Sequence, residues 1–281
     1  MIRSIRTEFY KLMKRRRSYI GFVGYTVLLL LLYVALSYSK KPYLSREAKA
    51  VNLRLTDFMD GSFFCLATLY PSLALLYPIF ISLVAGDLVA GESQEGTLRV
   101  MLARPGSRAR VLGSKVAVLG CYLAVLCTFC GLGSLMVGTL GFGVPGDLLF
   151  PEVFYGMGNH LRIIPRNEAL QAFFCSYVYA AFAGMVVGTL GLLLSVVCRH
   201  AASAVTTTLV IYFVFHILAA LPPLRDLRPY FFTSHLEAWK YFFADPVPWG
   251  RIVRSAMVML SYGATFGITA WLFFERKDVH A

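Results

Sequence analysis

The residues that could do chemistry are concentrated in one polar stretch, Gly86 to Lys115. It reads Asp87-Leu-Val-Ala-Gly91-Glu92-Ser-Gln-Glu95-Gly96-Thr97-Leu98-Arg99-Val-Met-Leu102-Ala-Arg104-Pro105-Gly-Ser-Arg108, followed by Arg110 and Lys115. The spacing predicts a short helix over Thr97–Ala103, ended by Pro105-Gly106. Leu98, Met101 and Leu102 would line one face of it, with Arg99, Glu92 and Glu95 at its edges. An apolar stripe edged by charges of both signs suits recognition of a protein partner more than catalysis.

Other constellations point the same way. No G-x-x-x-x-G-K-[ST] occurs, and the nearest approach, Gly106 to Lys115, has the wrong spacing. Intramembrane proteolysis would need a Gly-x-Ser-x-Gly with a histidine, or paired intramembrane aspartates, and neither is present. Cys127-x-x-Cys130 has no second pair and no histidine cluster, so the six cysteines read as small buried hydrophobes. His216, deep in an apolar run, reads as a packed residue. A non-catalytic chain with no bound cofactor or metal is the expectation.

The elements that must position this stretch follow from composition. Hydrophobic residues make up 58% of the 281, and charged residues 15%, where soluble domains carry roughly 25%. Mean hydropathy is +0.65. The charges are bunched, leaving six apolar runs of 20 residues or more, and about 20 helical residues cross a bilayer. The expected fold is an all-α integral membrane protein with one transmembrane domain over 1–281. Its spans are placed at about 19–38, 62–86, 115–140, 170–197, 202–221 and 252–274. Residues 87–110 form the loop between spans two and three, and 222–250 an aromatic- and proline-rich outer segment read as an interface belt. Between spans three and four a polar loop is expected, with Pro145, Pro151 and Pro165. Pro71 and Pro78 should kink span two, and Gly184 with Gly188 should let span four approach its neighbours.

Residues 1–18 hold seven basic residues and one acid, Glu8. Ile2, Ile5, Phe9, Leu12 and Met13 recur at helical spacing, which predicts an amphipathic helix on the membrane surface. A second interfacial helix is expected through Leu44, Ala48, Val51, Leu55, Phe58 and Met59. The basic leader reads as retained, because no small-residue cleavage site follows the first apolar run. It places both termini in the cytoplasm. The net charge of +12 is then a matter of headgroups at the ends of spans, and nucleic acid is not an expected partner.

The string D-x-x-x-G-E-x-x-x-G-T-L-x-x-x-L-x-x-P-x-x-R, followed by a lysine, resembles the loop of ABC-2 type permeases, the membrane subunits of many ABC exporters. Asp87, Gly91, Glu92, Gly96, Thr97, Leu98, Leu102, Pro105, Arg108 and Lys115 stand at its positions. Glu8-Phe-Tyr-Lys11 and the basic run with Arg15 look like the leader of that family. Gly106 departs from the pattern, which has a small branched residue there. The resemblance implies a permease of the cytoplasmic membrane. It would work as two halves, a homodimer or a pair with a similar chain, over two cytosolic ATPase subunits that carry ATP and Mg. It makes Asp87, Glu92, Glu95, Gly96, Thr97, Leu98, Arg99, Leu102, Pro105, Arg108 and Lys115 coupling residues, with Arg104, Arg108 and Lys115 anchoring the loop to headgroups or to the ATPase. Glu8, Lys11 and Arg15 belong to the N-terminal interfacial helix. The substrate path would run between spans one, two and five of the two halves. Apolar spans suit export of a hydrophobic or amphipathic substrate. Two rivals are a subunit of the same fold that passes ATP-driven motion to an outer-side protein, and a secondary carrier. The carrier is disfavoured by spans that lack an acidic residue.

Overall fold

The computed structural model describes residues 2–39, 59–98, 108–152 and 161–276. The expected interfacial helix over 44–59 falls almost wholly outside them, as do most of the predicted helix Thr97–Ala103 and the residues Arg99, Leu102, Arg104 and Pro105.

Among the described residues six helical stretches are long and apolar enough to cross a membrane: Arg16–Tyr38, Gly61–Gln94, Arg108–Phe142, Arg166–Val197, Ala201–Ala220 and Trp249–Arg276. The protein is thus an all-α integral membrane protein, with one small exception described below. Helix α1 (Ile2–Lys14) comes first. Arg15 then adopts an extended conformation, which breaks the helix and lets the chain turn through a 3-10 turn (Arg16–Tyr19) into α2 (Ile20–Ser39).

The second crossing is built in pieces. Helix α3 (Gly61–Pro71) is capped by Asp60, whose carboxylate accepts from the backbone of Ser62 and Phe63 at 2.9 and 3.1 Å, the preferred use of an N-cap aspartate. A π-helical turn, Ser72–Leu76, follows Pro71. The Ser72 hydroxyl contacts the carbonyls of Thr68 and Leu69, so a side chain serves carbonyls that the irregular backbone frees beside the proline. Pro78 lies in the first turn of α4 (Tyr77–Asp87), which runs on directly from the π-helical turn. The carbonyl of Ala74, four residues before it, accepts from the Tyr212 hydroxyl at 2.9 Å, so a side chain from the fifth crossing serves the group that the proline leaves without an N–H. After a break at Leu88–Val89 comes the short α5 (Ala90–Gln94).

Helices α6 (Arg108–Phe142), α7 (Arg166–Val197) and α8 (Ala201–Ala220) form crossings three to five, and α10 (Trp249–Arg276) the sixth. The core lies where α4, α6 and α7 meet. A side chain at Gly184 would strike Tyr77 at 2.6 Å, and one at Gly188 would strike Leu119 at 2.7 Å. These glycines thus bring helices of one chain together. Helices α2, α8 and α10 present Leu30, Leu31, Val210, Met257 and Leu260 outward, as lipid-facing surfaces do.

At the end of the bundle away from α1, the loop between α6 and α7 is not wholly irregular. Strands β1 (Leu148–Pro151) and β2 (Leu161–Ile164) pair antiparallel, with Leu148 opposite Ile164 and Phe150 opposite Arg162. The segment after α8 folds as a 3-10 stretch (Pro222–Tyr230), the short α9 (Phe232–Leu236) and a second 3-10 stretch (Glu237–Phe243). The reading of its aromatics as an interface belt needs correction. Phe232, Trp239 and Phe243 are buried, and Phe243 stacks on Phe150 of the ribbon at 5.0 Å. Only residues such as Tyr230 and Trp249 remain widely exposed. Phe232 of α9 and Trp239 and Phe243 of the second 3-10 stretch turn inward, making a packed cap.

Candidate functional site

The amphipathic N-terminal helix meets the segment after span two through a lattice of charges. Ile5, Phe9 and Leu12 of α1 pack on the core, and the residue on that same face one turn from Ile5 and Leu12 is Glu8, only 5% exposed. Met13, expected on this face, is exposed instead. The helix is rotated so that its one acid points inward, because a cation waits there.

That cation is Lys115, with 0% exposure. Its Nζ donates to Glu8 Oε2 at 2.9 Å, to Glu92 Oε2 at 2.6 Å and to the Leu88 carbonyl at 2.7 Å. Its three N–H bonds are thereby all used. Lys11 reaches the other oxygens of the same two acids, Glu8 Oε1 at 2.9 Å and Glu92 Oε1 at 3.1 Å. Two ammoniums and two carboxylates thus alternate around a closed ring drawn from α1, α5 and α6. Burial by itself would push the Glu8 carboxyl up; the ammoniums of Lys115 and Lys11 outweigh it and hold it below the ordinary carboxylate range. Lys11 is the mirror case: burial would lower it, and Glu8 with Glu92 raises it.

A second cluster lies alongside. Asp87 at the end of α4 receives Arg15 Nη1 at 2.7 Å and Arg17 Nη1 at 2.9 Å, and Arg15 also donates to the Asp87 carbonyl at 2.9 Å. Arg15 Nη2 lies 3.5 Å from Glu95. Gly91 is what makes room: a Cβ there would collide with Asp87 Oδ1. Two further anchors were not singled out from the sequence. Ser195, near the end of α7, donates to the Gly86 carbonyl at 2.6 Å and accepts from the amides of Val89 and Ala90. It thereby serves the backbone groups that the break between α4 and α5 leaves open. Gln94 bonds His200 and the Ala201 amide at the turn into α8. No sequence pattern flags either residue, since serine and glutamine are unremarkable at span ends.

The predicted coupling residues therefore divide. Asp87, Glu92 and Lys115 face inward and hold the segment to the bundle. Lys115 lies two turns inside α6, so its side chain reaches neither headgroups nor a docking partner. Leu98 is buried as well, at 5%, and packs on the core. Glu95, Gly96 and Thr97 are exposed. Gly96 has φ of 71°, a left-handed conformation that glycine adopts without strain. Arg108, at the start of α6, donates to the carbonyls of Phe274 and Glu275 at 3.4 and 2.5 Å. It thereby caps the end of α10, as basic groups near a helix C-terminus do.

The basic N-terminal helix is thus tied by ion pairs to the end of α4 and to the short α5 that follows it. The chain matches the sequence profile of the ABC-2 family transporter proteins over residues 2–225. It belongs to that family. The matched region takes in α1, the charge lattice and the first five spans. Within the curated proteins it is similar to an uncharacterised protein, YhcI, of Bacillus subtilis (strain 168), with 24% identity over 208 residues. That alignment covers 73% of this chain and 65% of the length of the relative.

Proposed function

We propose that this ABC-2 family protein is the permease subunit of an ATP-driven exporter of hydrophobic or amphipathic substrates, energised by a separate cytosolic ATPase. The carrying observation is the division within residues 87–98. Glu95, Gly96 and Thr97 are presented outward, while Asp87 is held by an ion pair to Arg15, just after α1, and Glu92 by ion pairs to Lys11 of α1 and Lys115 of α6. A force applied at the exposed residues passes to three elements at once: α1, the end of span two and the start of span three. Ser195 and Gln94 extend it to spans four and five. Ion pairs in a dry setting transmit displacement well, because removing a partner from them costs several kcal/mol. Family membership supports an ATPase partner, which would carry the ATP and Mg. The basic leader supports a cytoplasmic α1 face in the inner membrane. Two permease halves, identical or similar, over two ATPase copies complete this reading.

The test is purification of the tagged chain from native membranes in mild detergent, with nucleotide hydrolysis as readout. A co-purifying ATPase is expected. It should be lost with Glu95→Arg plus Thr97→Asp, which alter only exposed side chains, while the chain stays monodisperse. Failure to retain any nucleotide-binding subunit under every mild condition overturns the reading.

A further inference from the structure

Between α3, α6 and α7 lies a cavity of about 490 Å³. Its walls are apolar, formed by residues such as Leu135, Leu170, Phe173 and Ala181, and its few polar atoms belong to side chains such as Ser134, Tyr177 and Cys65. Among the described residues no charged side chain lines it. Leu132, Phe174 and Val178, at its edge, are 65%, 71% and 54% exposed. Ser134 sits eight residues before the end of α6 at Phe142, roughly 12 Å along the helix. The cavity therefore lies within the membrane-crossing part of both helices, in the half of the bilayer nearer the β-ribbon, and opens sideways.

That position decides the occupant. The volume falls in the range of small-molecule sites, about 300–1,000 Å³. Left empty, the lining would forgo its dispersion contacts. Water needs two to four polar partners and finds few here. What lies against the mouth in a membrane is hydrocarbon. The polar atoms fit the same guest. Ser134 donates to the Gly131 carbonyl at 2.9 Å, and the Tyr177 hydroxyl stands 3.5 Å from the Ser134 oxygen, a long contact. With the Ser134 proton used, the Tyr177 hydroxyl is the donor of the pair that can turn from this long contact to one uncharged acceptor. We infer that this cavity binds one membrane phospholipid by an acyl chain that enters between α6 and α7, with its ester carbonyl at Ser134 and Tyr177. The site uses none of the residues of the charge lattice, and it stands independently of the ATPase coupling.

The full chain would be reconstituted in phosphatidylcholine vesicles containing a phosphatidylcholine with a diazirine on one acyl chain, irradiated, and its adducts mapped. Adducts are expected to concentrate on residues 124–135 and 170–181 over the lipid-exposed positions Leu30 and Met257. Ala181→Trp and Ala124→Trp, which fill the cavity and its mouth, should bring those stretches down to the Leu30 level. Leu140→Trp, exposed and outside the cavity, should change nothing. Ser134→Ala with Tyr177→Phe should lower the enrichment roughly three- to tenfold, the worth of about one hydrogen bond. Persistent labelling at Leu30 and Met257 reports a folded chain. Ala124 is already exposed, so its variant gives the reading even where Ala181→Trp does not fold. Even labelling of all exposed helices, or enrichment that survives both tryptophans, overturns the site.

Discussion

Lys115 of span three and Glu92 of the segment before it meet at 2.6 Å, with side chains 0% and 3% exposed. A pair so fully removed from water is a poor source of net stability but a costly one to break. Lys115→Met leaves Glu92 and Glu8 with Lys11 alone, and Lys11 is part-exposed. The expected cost is about 3–5 kcal/mol, a fall in Tm on the order of 10 °C for a chain of this size. Adding Glu92→Gln should recover part of the loss, since it removes the stranded charge. Thermal unfolding of the single and double variants in detergent checks this. A double variant that simply adds the two losses would refute the ring.

The same ring gives a signed pH dependence. Glu8 is held below its ordinary value of 4.5, so its contribution is fully present above that pH and is lost as pH falls through the lower folded value. Lys11 is held above 10.5. Its contribution is present below that pH and lost as pH rises through the higher folded value. Stability is expected to be flat in this respect between about pH 5 and 10 and to fall on both sides. Glu8→Gln should remove the acid limb that belongs to this residue. Tm measured against pH for the two proteins decides it, and an unchanged acid limb counts against the pairing.

Much of the architecture was legible in the sequence. Six uncharged runs mark six crossings because a charge in hydrocarbon is expensive, and the glycines of span four were readable as contact points. The same rule hid the centre of the site. Lys115 looked like the boundary of span three, whereas α6 begins at Arg108 and carries the lysine inward. Its charge is balanced by Glu8, 107 residues away in sequence, and no local pattern records such a partner. One signal was available: Glu8 is the only acid in a leader of seven basic residues, and an acid on the apolar face of such a helix needs a buried cation. Leu98 shows the opposite failure. Its spacing suited an outward stripe, but tertiary contacts took it into the core. The β-ribbon was unreadable because its four-residue strands carry too few alternations to count.

Gly91→Ala tests how closely the second cluster is fitted. A methyl group at this position collides with Asp87 Oδ1 and comes within 3.3 Å of Arg15 Nη1. Overpacking of this kind costs typically about 1–3 kcal/mol. On an Asp87→Ala background the same change should cost little, because the obstructing carboxylate is gone. That non-additivity, read from Tm values, separates a steric conflict with Asp87 from the intrinsic effect of replacing a helical glycine, which alone should be slightly stabilising.

Glu92 and Glu95 lie three residues apart in one segment and should behave as opposites. Glu92→Gln alters a buried acceptor of two ammoniums and is expected to lower Tm by several degrees. Glu95 is 61% exposed, with one ion pair among the described residues, at 3.5 Å to Arg15, a geometry worth at most about 1 kcal/mol and less once solvent screening is counted. Glu95→Gln should therefore leave Tm within about 1 °C of the parent. The two variants also separate holding from docking. If the exposed edge meets the ATPase, Glu95→Arg weakens nucleotide hydrolysis by the assembled complex while the isolated chain remains as stable as the parent. Glu92→Gln reduces both together, because it loosens the segment that the partner presses on. Equal losses of stability from both changes would mean that the segment is packed throughout and offers no docking edge.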